Sequence, residues 1–105
     1  MRCTQNYFCY CSLQDQEKQI EVLGRSLQGK KDYLPNFHTF KKNNMGPYVQ
    51  ESKNKLDKVK GTLYKISNHD LFLIDAYEET NFRSKRIKTT LKSGTSAWVY
   101  VDNPA

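Results

Sequence analysis

Between Arg83 and Val101 the chain alternates apolar and polar side chains on both sides of Ser93-Gly94, a pattern that predicts two strands joined by a tight turn. An antiparallel pair of this kind excludes a purely parallel α/β sheet, so every other element must be fitted around at least one hairpin. Upstream, Val59 to Ile66 has strand character, and Gly61 inside it marks a bulge or the close approach of another backbone. Ser67 then reads as an N-cap, with Asp70 in the capping-box position, launching a helix through Leu71, Phe72, Leu73, Ile74 and Tyr77. Strands and helices interspersed around a hairpin give an α+β class with a mixed, strongly curled sheet covered by two helices.

The first half is consistent with that class. Tyr7 to Leu13, rich in aromatics, predicts a strand that gives way to a helix from about Asp15 to Leu23. Ile20, Leu23 and Leu27 are expected as its buried stripe, with Gly24 as its stop. Leu27 to Phe40 predicts two short strands broken at the Pro35-Asn36 turn. Lys41 to Lys58, holding Asn43-Asn44 and Gly46-Pro47, is expected to be a long loop, with a lid preferred to a disordered linker.

With 105 residues the chain supports one core, and a single domain over residues 1–105 is expected. Cys3, Cys9 and Cys11, an odd and clustered set, argue against a disulfide framework and for reduced thiols. No apolar run suits a signal peptide or a membrane span, so a soluble cytoplasmic protein with no membrane partner is expected. The net charge of +6 is spread over pairs and singles such as Lys30-Lys31, Lys41-Lys42 and Lys85-Arg86. That scatter favours a solvated surface over a nucleic-acid groove.

One carboxylate stands out. Projected at helical spacing, Asp75 and Glu79 share a strip, whereas Glu78 falls between Leu71 and Ile74 on the apolar side. A carboxyl held there is desolvated and its pKa rises, as a general base working near neutrality requires. The same spacing also fits a glutamate at a fraying helix end that points to water, and alone it favours that plainer reading. Cys9-x-Cys11 with His38 and His69 is a weak zinc pattern, for lack of a second cysteine pair, and no metal is expected. Trp98 and Tyr100 read as core rather than a stacking platform; Arg25 and Arg83 suit either an anionic substrate or surface ion pairs.

Several segments together resemble one family. Tyr10-Cys11-Ser12-Leu13-Gln14 is similar to the Tyr-Gly-Ser/Thr-Leu signature of gamma-glutamylcyclotransferase-like proteins, and Leu23-Gly24-Arg25-Ser26-Leu27-Gln28-Gly29 to the segment after their first helix. Gly61-Thr62-Leu63-Tyr64 resembles their Gly-x-Leu-Tyr strand. Ile74-Asp75-Ala76-Tyr77-Glu78 with Phe82-Arg83 resembles their Leu-Asp-x-Tyr-Glu segment, and Ala97 to Val101 their closing strand. The resemblance implies a small barrel-like sheet with flanking helices and conversion of a γ-glutamyl amide or γ-glutamyl amino acid into 5-oxoproline plus a free amine. It implies Glu78 as the catalytic acid and base, Tyr10, Cys11, Ser12 and Leu13 as the substrate-binding segment, a small γ-glutamyl substrate as partner, and no cofactor. The chain departs from the pattern at Cys11, where the family has Gly, and at Glu79, where relatives often have Gly or an apolar residue. A cysteine forced into left-handed geometry at position 11 would be strained, and its thiol would narrow the pocket. Those departures motivate a second expectation, a catalytically silent pocket-bearing binding protein of the same fold, and the charge a third, a basic nucleic-acid-binding module. The sequence carries no signature of oligomeric state.

Overall fold

A computed structural model describes residues 4–42 and 45–102. The architecture is α+β: a mixed, strongly curled, barrel-like sheet with two flanking helices. In chain order the elements are β1 (Thr4–Cys9), α1 (Gln16–Leu23), β2 (Gly29–Pro35), β3 (Phe37–Lys42), β4 (Met45–Glu51), β5 (Lys58–Ser67), α2 (Asn68–Phe82), β6 (Ser84–Thr90) and β7 (Ser96–Asp102). A single 3-10 turn, Ser12–Gln14, separates β1 from α1.

Five strands form the main sheet in the order β2-β5-β1-β7-β6, antiparallel except where β1 runs parallel to β7. Its two edges are drawn together at one end. Lys92 in the β6–β7 turn donates its N–H to the Tyr33 carbonyl of β2 at 2.9 Å, and the Ser93 hydroxyl donates to the buried Asp32 carboxylate at 2.6 Å. The sheet therefore curls around one apolar face, made of Phe8, Val59, Ala97, Val99 and Val101. The β3–β4 ribbon covers that face with Phe37 and Val49. On the opposite face Tyr7, Cys9, Tyr64, Ile66 and Tyr100 pack against Leu71 and Ile74 of α2, with Leu13 and Leu27 beside them. A side chain at Gly61 would lie 2.6 Å from the Phe8 ring and 2.4 Å from the Cys9 carbonyl, so the glycine marks a close approach.

Local signals set the helices. The Ser67 hydroxyl accepts from the Asp70 N–H and the Asp70 carboxylate from the Ser67 N–H, both at 3.0 Å, closing a capping box in which Asp70 also pairs with Arg25. Asp15 caps α1 through the Glu17 N–H, and left-handed Gly24 (φ 80°) ends it. The Pro35-Asn36 break between β2 and β3 and the β6–β7 hairpin stand where the sequence places them.

Three expectations change. β1 ends at Cys9, and residues 10–15 leave the sheet because the chain turns there into the 3-10 turn and the Asp15 cap. Ile20 is 54% exposed, and the residue of α1 that is buried is Gln19. The Gln19 amide donates to the Leu13 carbonyl at 2.8 Å and accepts from the Leu27 N–H at 2.7 Å, a double backbone repair that no leucine performs. The 41–58 segment is not one long loop: Met45–Glu51 forms β4, which pairs with β3 from Phe37↔Glu51 to Phe40↔Tyr48, and a two-stranded ribbon tolerates the proline that signalled a break. No helix among the described residues is long and apolar enough to cross a membrane.

Candidate active site

The end of β1 and the last turns of α2 meet at Glu78. Ser67 starts the helix at a fixed point and Leu71 and Ile74 seat it against the sheet, so the residue one turn beyond Ile74 is carried to the same side. Glu78 is 4% exposed, not frayed into water. Its Oε1 lies 3.8 Å from the Cys11 thiol, which donates to it. Burial first, and then Cys11, push the Glu78 carboxyl up to about 9.

Glu78 borders a cavity of about 20 Å³ lined also by Tyr10, Cys11, Ser12, Gly46, Pro47 and Phe82. That volume holds about one water. Three members of the expected binding segment therefore line it, whereas the Leu13 side chain is in the helix-side core and only its N–H faces the Cys11 sulfur. Tyr10 is fixed by donation to the Tyr100 carbonyl at 2.6 Å, and the Ser12 and Tyr77 hydroxyls lie 3.3 Å apart. Cys11 has φ −122°, an extended backbone without left-handed strain, so the expected conformational penalty does not arise. What its side chain does is fill space beside Glu78.

The thiols form a short relay. Cys9 Sγ lies 3.7 Å from Cys11 Sγ, and the Tyr7 hydroxyl stands next in line against Cys9. Burial opposes ionisation of Cys9, but hydrogen bonds from Cys11 and Tyr7 outweigh it and the thiol's pKa is lowered. Cys11 moves the other way, raised by its bond to Cys9 and by burial.

Sequence reasoning missed Gly46, Pro47 and Ser84 as lining residues and gave Phe82 no place there. The first two were read as loop breakers, and Phe82, whose ring meets Tyr48 and Tyr77 edge-on at 6.3 and 5.8 Å, closes the rim through contacts far apart in sequence. A larger groove of about 780 Å³ runs along the Asp75–Glu79 strip of α2 and shares Ser84 with the small cavity. Arg83, Lys85 and Arg86 line it, with Arg86 paired to Asp75 at 2.9 Å and stacked over Trp98 at 4.3 Å. Arg25 is engaged at the α2 cap instead. His38 pairs with Gln50 and His69 stacks on Phe72; among the described residues no group of three or more His, Cys, Asp and Glu is placed to hold a metal ion.

The sequence matches the family described as Gamma-glutamyl cyclotransferase, AIG2-like over residues 7–105. No curated protein sequence matches it. Two Arabidopsis thaliana proteins known from solution structures superpose on 96% of the chain, one with TM-score 0.79 at 20% identity and one with 0.80 at 21%. The chain spans 63% and 70% of those two proteins' lengths. A solved gamma-glutamyl cyclotransferase superposes on 96% of the chain with TM-score 0.70 at 17% identity, and the chain spans 68% of it. At such identities the superpositions speak for the fold.

Proposed function

The chain belongs to the gamma-glutamyl cyclotransferase, AIG2-like family, and from that premise we propose that it cyclises a γ-glutamyl amide or γ-glutamyl amino acid to 5-oxoproline, with Glu78 as the proton carrier. The observation that carries this reading is a buried carboxyl with a raised pKa facing the cavity floored by Tyr10, Cys11 and Ser12.

In the reaction the substrate's own α-amine attacks its side-chain carbonyl, closing a five-membered ring, so folding the substrate supplies much of the acceleration. The Glu78 carboxylate takes a proton from the α-ammonium, freeing the attacking lone pair, and returns it to the departing nitrogen as the amide C–N bond breaks. A second proton from the attacking nitrogen follows the same route, so the amine leaves as an ammonium and Glu78 ends as it began. Backbone N–H groups of the Tyr10–Leu13 segment stabilise the substrate carboxylate or the oxyanion, and the amine departs toward the groove that shares Ser84. Room for the γ-glutamyl group comes from displacement of the Cys11 and Phe82 side chains. A substrate ammonium draws the Glu78 carboxyl back toward ionisation, which the empty site disfavours.

The test is 5-oxoproline release from a panel of γ-glutamyl amino acids and γ-glutamyl amines. Glu78→Gln is expected to lower the rate on the order of 100-fold or more, and kcat/KM of the parent to rise with pH until about 9, where the free carboxyl titrates. Equal rates for parent and variant remove Glu78 from the mechanism. The small cavity and the Cys11 thiol against Glu78 carry a second reading, a silent pocket that binds a γ-glutamyl ligand. It predicts thermal stabilisation by the ligand with no 5-oxoproline.

A further inference from the structure

The proposed mechanism gives neither thiol a chemical role, yet one lies against its proton carrier and the other against the first. Cys9 and Cys11 project from the end of β1 toward the same point, their sulfurs 3.7 Å apart, and Cys11 Sγ is also 3.8 Å from Glu78 Oε1. Cys11 is half-buried, whereas Cys9 is 1% exposed and flanked by the Tyr7 hydroxyl. Cys11 is the sulfur nearer solvent, and Cys9, whose ionisation its neighbours favour, is held beside it as the nucleophile that resolves an oxidised product.

We propose that Cys9 and Cys11 are a redox modification site, at which a peroxide closes a reversible Cys9–Cys11 disulfide that withdraws the Cys11 sulfur from Glu78 and so opens the candidate active site. The regulatory part rests on the reading of Glu78 as proton carrier; the disulfide does not. In the step, both S–H bonds break and one S–S bond forms. The two electrons and two protons pass to hydrogen peroxide, whose O–O bond breaks to give two waters. Disulfide exchange with an external dithiol reverses it. A bond between positions two apart constrains the chain, which makes such a link labile and suits it to switching. Cys11 Sγ touches both Cys9 Sγ and Glu78 Oε1, and a sulfur taken into the S–S bond has no hydrogen left to donate to the carboxyl. Water entering the space that sulfur filled takes the place of the lost donor and hydrates the carboxylate, and relief of burial, the larger cause of the raised value, carries the midpoint down.

The experiment uses the full chain carrying Cys3→Ser, so that the tryptic peptide of residues 3–18 holds only the two cysteines of interest. After hydrogen peroxide, the folded protein is expected to lose two hydrogens by intact mass, to resist alkylation at both positions, and to recover both with dithiothreitol. The carboxyl carbon of Glu78, followed by NMR through a pH titration, is expected to move its midpoint down by about one unit on oxidation. Turnover of γ-glutamyl substrate should rise several-fold in the same sample, and in Cys9→Ser peroxide should give neither the two-hydrogen loss nor a dithiothreitol-reversible rise in turnover. Full alkylation of both cysteines after a treatment that links them in the isolated peptide overturns the site. A disulfide that leaves the Glu78 midpoint unchanged overturns the switch. If the midpoint falls but neither redox state releases 5-oxoproline, the proposal stands and the cyclotransferase reading fails.

Discussion

Glu78 was legible as an anomaly because helical projection is local arithmetic: its strip is defined by Leu71 and Ile74, and the helix that carries it is capped by its own residues. What spacing left open, inward or outward, was decided by tertiary packing at the helix end. Its burial has a consequence for stability. The folded protein keeps this carboxyl protonated up to about pH 9, while an unfolded chain releases the proton near 4.5, so between those values the folded state binds more protons. Stability contributed by the neutral form is complete below 4.5 and is lost as pH rises through 9. Glu78→Gln should therefore match the parent near pH 4 and gain on it at up to about 1.4 kcal/mol per pH unit on the way to pH 9, read from urea midpoints across the range. Cys11 was legible as a departure but not in its effect, since a backbone angle at a strand end depends on the turn that follows. With no left-handed geometry to satisfy, Cys11→Gly acts by removing the sulfur beside Glu78, and 5-oxoproline release should rise several-fold. A rate at or below the parent's would assign the constriction to Phe82 and the Gly46-Pro47 segment instead.

Elements with their own punctuation were the readable ones. The capping box of α2, Gly24 after α1, Asn36 between β2 and β3, and Ser93-Gly94 in the last hairpin each act through near neighbours. β4 was hidden because Gly46-Pro47 is a breaker in isolation and is accommodated only once β3 supplies a ladder. In α1 the apolar Ile20 outranked the polar Gln19 in any pattern, yet Gln19 joins the backbone on either side of the helix. Gln19→Leu should cost roughly 2 to 4 kcal/mol by orphaning the Leu13 carbonyl and the Leu27 N–H, whereas the exposed Ile20 accepts Gln with little change. Chemical denaturation of the two variants side by side makes the comparison, and equal losses would refute the assignment.

Fold class was legible for the whole molecule, and strand order was not. A hairpin announces itself in a few residues, but the placement of β1 between β5 and β7 depends on partners about sixty and ninety positions away. The Asp32–Ser93 tie between the sheet's edges is of the same kind. Asp32→Ala should lower stability by about 1 to 3 kcal/mol and speed amide exchange most at residues 92–95, a localisation that uniform loss of protection would contradict. The central position of the first strand also bears on biosynthesis. As the chain leaves the ribosome, Thr4–Cys9 has no ladder until residues 58–67 emerge, and its parallel neighbour follows it by about ninety residues. The two sulfurs at and just beyond its end therefore stay outside any interior until those partners arrive, and the glutamate that one of them adjoins is itself made only after residues 58–67.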